Sequence, residues 1–182
     1  KRGETDLALA GPRDYNQTLG LEFEHPTFDI DIRRCNNLCS FCFVLQMPNR
    51  MRRALYIKDD DYRYSFLHGH FVTLTNLAQH DWDRIAEQHL SPLYVSVHAT
   101  DLEVRRKLLR NPAAPDILDQ LRWLKEQAIE VNTQLVVTPG LNDGQILSQS
   151  IHDLAKLWPT VQSISVVPVG ITKSHKYNER PC

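Results

Sequence analysis

The feature that most constrains the fold of this chain is a repeated alternation of short β-branched runs with amphipathic helical segments. Strand-like runs occupy residues 28–32, 71–75, 93–98, 131–137 and 163–169. Between them, apolar side chains recur at helical spacing, and Trp82, Ile85 and Leu90 form the first such stripe. Because short strands that alternate with helices build βαβ units, the sequence predicts an α/β fold with a parallel sheet.

Three more helical segments are expected along the chain. Residues 100–103 form a capping box, in which the Thr100 hydroxyl and the Glu103 carboxylate would satisfy free backbone amides at a helix start. Apolar helix faces then span residues 117–128 and 147–158. Each strand therefore leads into a helix through a short connection.

The length of 182 residues allows one domain with a hydrophobic core but not a complete eight-stranded barrel, which takes about 250 residues. We expect about five strands, in an open α/β sheet or a partial barrel. Both architectures place ligand sites at the carboxyl ends of the strands. Residues 1–26 are predicted to be a linker or edge extension, 27–176 the core, and 177–182 the start of a truncated C-terminal region.

Three cysteines form a Cys-x3-Cys-x2-Cys run, Cys35, Cys39 and Cys42, directly after the first predicted strand. Three neighbouring thiolates bind soft metals, whereas a closed zinc site or a fully protein-ligated iron–sulfur cluster takes four ligands. The run therefore predicts a metal centre with one open position. The alternative is a structural zinc site completed by His25, His68, His70 or Cys182.

The composition points to no macromolecular partner. The net charge is −1, so neither nucleic acid nor a membrane surface is indicated. No apolar run approaches the roughly 18 residues of a membrane span, and clustered free cysteines are typical of a reducing compartment. We expect a cytoplasmic location, and the start at Lys1 predicts a piece of a longer protein.

The cysteine run, with aromatic Phe41 before its last member and strand–helix alternation after it, resembles the signature of radical SAM enzymes. The resemblance implies a partial (β/α) TIM-like barrel and a four-iron four-sulfur cluster held by the three cysteines. It also implies S-adenosylmethionine bound at the open iron, and its reductive cleavage to a 5'-deoxyadenosyl radical that abstracts hydrogen from a substrate. The expected partner is a low-potential electron donor such as ferredoxin or flavodoxin.

Longer stretches resemble one uncharacterised family, the iron–sulfur-containing cyanobacterial-specific oxidoreductases. These stretches include residues 32–37, 55–63, 73–76, 93–101 and 167–170. In that family a PDZ-like domain precedes the radical SAM core and a domain of unknown function follows it, so both are expected as flanking partners. The resemblance implies no substrate and no catalytic residue beyond the cofactor site.

The superfamily resemblance also implies cofactor contacts. They are Phe41 near the adenine, Asn76, Ser96, His98, Thr133 and Gln134 for the ribose and methionine carboxylate, and Val167 and Pro168 packed on the adenine. Two of these contacts have structural alternatives, since Asn76 could cap the next helix and a lone histidine such as His98 is commonly a hydrogen-bonded core residue. The chain lacks the Gly-Gly-Glu run that many members use for the cofactor's amino group, so Asp59, Asp60 or Asp61 are the candidate substitutes.

A group of basic residues flanks the cysteine run, namely Arg33, Arg34, Arg50, Arg52 and Arg53. They could stabilise an anionic cluster or attract an anionic substrate or acidic electron donor. Alternatively, they are solvated charges offset by the nearby aspartates. The competing hypothesis for the whole chain is a non-enzymatic metalloprotein, either an iron–sulfur electron carrier or a zinc-stabilised interaction scaffold.

Overall fold

The computed structural model describes residues 31–174, and the predictions for residues 1–26 and 177–182 lie outside this range. Three strands form a parallel sheet of order β1-β2-β3, with β1 at Leu93–Ser96, β2 at Val131–Val137 and β3 at Val161–Pro168. The described helices are α1 (Tyr62–His68), α2 (Gln79–Glu87), α3 (Leu102–Leu109), α4 (Ile117–Glu126) and α5 (Gly144–Ala155). Short 3-10 helices span Val44–Gln46 and Arg53–Tyr56. The predicted α/β class with a parallel sheet is confirmed.

One face of the sheet carries the hydrophobic core. Leu93 and Val95 of β1 lie beside Val131 and Leu135 of β2, and all four are fully buried against apolar residues of the helices. Those helical residues are Ile85, Leu121, Leu124 and Leu154. Burying each such side chain contributes about 1.5–3 kcal/mol. The helical periodicity therefore identified the core-facing side of α2 and α4, whereas in the apolar face predicted over residues 147–158 Ile151 and Trp158 are exposed.

The predicted strand at residues 71–75 is wrong except for one parallel bridge from Val72 to Val95 of β1. The backbone of Thr73 bonds to side chains instead of to a neighbouring strand, because its amide donates to Asp60 and its carbonyl accepts from Arg105. Leu74 then adopts a positive φ of 58°, which ends the extended conformation. Of the predicted strand at 28–32, residues 28–30 lie outside the described range, and Asp31 and Ile32 are not in a strand.

Two helix starts differ from the sequence prediction. The helix α3 is capped by Asp101, whose carboxylate accepts from the Val104 amide, while the Thr100 amide donates to Ser150 of α5. The predicted capping box at Thr100 is therefore wrong, because the packing of α5 supplies another partner for that residue. The helix α1 was not predicted from the sequence. It is capped at its N-terminus by Asp61 and at its C-terminus by Gly69, whose φ of +73° is favourable for glycine.

Within residues 31–174, no helix combines the length and the hydrophobicity that a membrane crossing requires.

Candidate functional site

The cysteine run forms a loop that packs against the end of α3. The Leu38 amide donates to the Leu109 carbonyl at 2.9 Å, and Cys39 is buried against Leu109 and Ala114. Phe41 and Cys42 pack against the same small apolar cluster. The loop is thus held by the α3 terminus rather than by the sheet itself.

Asn37, which is completely buried, is the polar centre of this loop. Its side-chain amide donates to the hydroxyls of Thr73 at 2.9 Å and Thr75 at 2.8 Å, and lies 3.3 Å from the Cys35 sulfur. Its Oδ1 accepts from Asn111, just after α3, at 2.8 Å. Because every polar atom of this buried amide has a partner, the conformation of the loop around Cys35 is strongly specified.

Replacing Asn111 with alanine should therefore loosen the loop. The buried Asn37 Oδ1 would lose its donor, which costs about 1–3 kcal/mol in unfolding free energy. Urea denaturation measures this cost, and the alkylation rate of Cys35 should rise as well. Asn49→Ala, at an exposed position in the same part of the chain, is the matched control. Equal stability of the two variants would contradict the role assigned to Asn111.

Burial keeps two of the three thiols protonated at neutral pH in the metal-free protein. The pKa of Cys39 is raised to about 12, first by burial and then by the charges of Cys35 and Cys42. The pKa of Cys35 is also raised, by burial and then by the Asp60 carboxylate. The mutual influence of the three thiols shows that they are neighbours. In the described part of the chain, however, no group of three or more His, Cys, Asp or Glu side chains is arranged to hold a metal ion.

A buried guanidinium lies beneath the loop. Arg105 of α3 is completely buried and donates to the carbonyls of Thr73 at 2.8 Å, Val97 at 3.2 Å and Pro115 at 3.4 Å. Burial lowers its pKa to about 10, against the opposing attraction of Asp60 and Cys39, so it remains charged at neutral pH. Sequence reasoning missed this residue, because an arginine in an amphipathic helix next to Arg106 and Lys107 resembles solvent-facing charge.

His98, immediately beyond β1, connects the cysteine loop to the carboxyl edge of the sheet. Its ring meets that of Phe41 edge to face, with centroids 4.8 Å apart, and its Nδ1 accepts from the Val136 amide at 3.3 Å. Burial, followed by the charge of Arg105, lowers the pKa of His98 to about 3. The neutral ring therefore carries its proton on Nε2 and forms a fixed wall beside Phe41.

The strand register shows which face of the sheet each of the other expected cofactor contacts occupies. Ser96 pairs with Gln134, and Val136 pairs with Val167, so these residues share one face by the alternation of side chains along strands. Thr133 lies on the opposite, core-facing side, completely buried, and its hydroxyl donates to the Ser163 carbonyl at 2.8 Å.

Pro168, which ends β3, alternates with Val167 in the same way and is exposed. The structure thus brings together Ser96, Gln134 and Val167 and separates them from Thr133 and Pro168. Among the described residues, no side-chain hydrogen bond engages Ser96 or Gln134. Ser96 ends β1 and Gln134 lies beside it in the middle of β2, so two polar groups on neighbouring strands are available to bind a ligand.

Asn76 connects the start of the cysteine loop to the segment before α1. Its amide donates to the carbonyls of Arg34 at 3.1 Å and Asp60 at 3.0 Å, and it does not cap α2, which begins after Ala78. Its Oδ1 is buried without a hydrogen-bond partner, as is the Oγ1 of Thr138 just after β2. Thr138 was not identified from sequence, although a polar residue directly after a buried strand is the same signal that identified Asn76.

The three consecutive aspartates are already engaged. The Asp59 carboxylate lies 2.8 Å from the His70 ring, and Asp60 accepts from both the amide and the hydroxyl of Thr73 at 2.6 Å. Asp61 accepts from Arg63 at 2.6 Å and from the Arg33 amide at 3.0 Å. These contacts position the loop, and they leave the cofactor's amino-group contact without an assigned residue.

Gln46 joins the cysteine loop to the chain beyond β3. It is almost completely buried and donates to the carbonyls of Phe41 at 3.3 Å and Gly170 at 3.1 Å, while it accepts from the Thr172 amide at 2.7 Å. The loop therefore contacts the end of α3, the residue after β1 and the segment after β3. All three contacts lie near the carboxyl edge of the sheet, where an α/β fold binds ligands.

The chemistry of these residues, although not their arrangement in the metal-free protein, fits an iron–sulfur cluster and a polar cofactor. The donor set is three thiols of one loop, with a fixed positive charge on Arg105 that would offset an anionic cluster. The buried Asn76 Oδ1 without a partner is an acceptor that a ligand hydroxyl or amine can satisfy.

Comparison with family models matches residues 13–164 to the radical SAM-like domain, which is most of the chain. A search of curated proteins found no match.

Proposed function

Because this chain belongs to the radical SAM-like domain family, we propose that it is the core of a radical SAM enzyme. Cys35, Cys39 and Cys42 would hold a four-iron four-sulfur cluster, with S-adenosylmethionine bound at the iron that has no protein ligand. When bound, these groups supply one-electron reductive cleavage of S-adenosylmethionine and a 5'-deoxyadenosyl radical for hydrogen abstraction.

The observation that carries this proposal is the position of the three-cysteine loop. The loop lies against His98 and the segment after β3, at the carboxyl edge of a parallel sheet. Three parallel strands with crossover helices also support a partial (β/α) barrel as the complete architecture. A structural zinc site does not have to lie at the carboxyl edge of a sheet, whereas sites where a cofactor reacts with a substrate in such folds do lie there.

The chain's own residues would bind and shield the cofactor. Ser96 and Gln134 offer free polar groups on one face of neighbouring strands, and Asn76 offers a buried acceptor. Phe41 and His98 form an uncharged wall that excludes water next to the loop. The neutral state of His98 matters here, because a charged imidazolium beside the cluster would recruit water.

A low-potential electron donor such as ferredoxin or flavodoxin would reduce the cluster in the cell. We further propose that the chain is the core of the cyanobacterial-specific oxidoreductase family that its longer stretches resemble, flanked there by PDZ-like and C-terminal domains. The support for this finer assignment is the sequence resemblance alone.

The test is anaerobic reconstitution with iron and sulfide, followed by dithionite and S-adenosylmethionine. We expect 5'-deoxyadenosine to accumulate, as measured by liquid chromatography, because cofactor cleavage does not require the substrate. Cys39→Ala should abolish it, whereas Cys182→Ala, a cysteine outside the run, should retain it.

Two results would contradict the proposal. Stoichiometric zinc in protein purified without oxygen would favour a zinc-stabilised scaffold. Bound iron and sulfide with no spectral change on adding S-adenosylmethionine, and no 5'-deoxyadenosine above the Cys39→Ala background, would favour an electron carrier.

A further inference from the structure

An open cavity of about 580 Å³ is lined in part by Cys35, whose sulfur also lies 3.3 Å from the Asn37 side-chain amide. Its described lining residues are Arg34, Cys35, Arg53, Ala54, Tyr56, Ile57 and Lys58. Small-molecule sites typically have volumes of about 300–1,000 Å³, so the cavity is large enough for a metabolite. Three of these seven side chains are cationic, and none of them is acidic.

The positive charge of the cavity is not neutralised by neighbouring acids. Within residues 31–174, no ion pair or hydrogen bond engages the guanidinium of Arg34 or of Arg53. The aspartates that could offset them, at positions 59–61, are committed to His70, Thr73 and Arg63. Arg34 and Arg53 are both exposed, as expected for solvated surface charge, but neither is paired with one of those aspartates.

The walls of the cavity are held in place by backbone contacts. The Cys35 amide donates to the Lys58 carbonyl at 2.8 Å, and Arg34 pairs with Asp59 in an antiparallel bridge. Lys58 also donates to the Asn37 carbonyl, and the 3-10 helix Arg53–Tyr56 forms the outer wall. Two guanidinium groups from different segments that line one cavity are suited to binding an oxyanion.

We propose that this cavity binds a small molecule carrying a carboxylate or phosphate group. Binding of an anion beside Cys35 does not depend on the proposed function. Its identification as the substrate of the radical reaction does rest on that function. The substrate class is then carboxylated or phosphorylated metabolites rather than a neutral or cationic compound. Guanidinium groups recognise both oxyanions through the same charge-assisted hydrogen bonds.

The first test uses the metal-free protein, so it does not depend on cofactor chemistry. Citrate and pyrophosphate are titrated separately by calorimetry, and comparison of the two distinguishes a carboxylate from a phosphate site. At least one should bind saturably, and the double variant Arg34→Gln/Arg53→Gln should weaken that binding about tenfold or more. Arg52→Gln, which removes one positive charge at a neighbouring position outside the cavity, should change it less than about twofold.

The location is tested by alkylation of the cysteines in the same titration. Cys35 lines the cavity and is partly exposed, so the bound anion should slow its reaction with iodoacetamide, whereas Cys42 should be unaffected. Absence of saturable binding by either anion would overturn the proposal. Equal losses in the double variant and in Arg52→Gln would do so as well, because binding would then be non-specific.

The second test separates this inference from the proposed function. In reconstituted protein, the better-binding anion should not compete with S-adenosylmethionine. The S-adenosylmethionine concentration that gives half-maximal 5'-deoxyadenosine formation should therefore be the same with and without the anion. Competition would assign the cavity to the cofactor's own carboxylate and overturn the substrate assignment. If no 5'-deoxyadenosine forms at all, the proposed function fails, and the anion site is still decided by the metal-free titration.

Reduction of the cluster by flavodoxin gives a further comparison. Slower reduction in the double variant, with unchanged anion binding, would overturn the anion site and assign the arginines to docking of the electron donor.

Discussion

Arg105→Leu is expected to lower the free energy of unfolding by about 3 kcal/mol, one of the two largest effects of a single substitution in this chain. The variant removes the donor for the carbonyls of Thr73, Val97 and Pro115, all in the buried region beneath the cysteine loop. Each buried carbonyl left without a partner costs about 1 kcal/mol or more. Urea denaturation of the metal-free protein measures the loss.

The matched control is Lys107→Leu, which removes an exposed positive charge from the same helix and should change the stability by less than about 0.5 kcal/mol. Arg105→Lys keeps the charge but not the planar fork, so it should lie between the leucine variant and the wild type. If Arg105→Leu were as stable as Lys107→Leu, the hydrogen bonds of the guanidinium would not be what stabilises the region beneath the loop.

Acidification is expected to destabilise the protein through His98. Its pKa is about 3 in the folded protein, because of burial and then of the charge of Arg105, against about 6.5 for an unfolded histidine. Between these values the unfolded state binds a proton that the folded state does not. The contribution of His98 to stability is therefore fully present above about pH 6.5 and is lost as the pH falls toward 3, at about 1.4 kcal/mol for each pH unit.

The measurement is urea denaturation at several pH values between 7 and 4, in wild type and in His98→Asn. Asparagine tolerates the positive φ of 63° at this position and offers an acceptor for the Val136 amide, but it does not titrate. The variant should lose less stability on acidification than the wild type does. His152→Asn, at an exposed position on α5, should keep the wild-type slope, and a slope shared by all three proteins would show that His98 is not the group responsible.

The local sequence pattern predicted the structure correctly where the conformation of an element depends mainly on its own residues. Residues 131–137 were predicted as a strand from their β-branched run and form β2, and the apolar stripes of α2 and α4 face the core as expected. In α5, Leu147 and Leu154 contact the core but Ile151 of the predicted stripe is exposed. The pattern failed at residues 71–75, where the same residue types are held by Asp60 and Arg105 instead of by a neighbouring strand. Strand propensity describes a side chain's fit to a sheet, and it does not report which backbone partners are present.

The candidate site also has some features that the sequence indicates and others that depend on tertiary contacts. Its cysteines are apparent from their spacing, and the resemblance to radical SAM enzymes suggested Ser96 and Gln134. The separation of Thr133 from Gln134 follows only from the register, which sets the face that each side chain occupies. The roles of Gln46 and Asn111 were invisible, since each acts through a partner more than seventy residues away in the chain.

What the sequence by itself determined was the α/β class and the spacing of three thiols in one loop, from which a metal centre with one open position is expected. Only the tertiary structure decided the electrostatics of that loop, because the charge of Arg105 and the neutral state of His98 depend on burial and on which groups lie nearby. The charges of Arg34 and Arg53 are exposed, and whether an acid pairs with them also depends on the fold. Desolvation and charge–charge interaction depend on distance in space, and local sequence does not encode that distance.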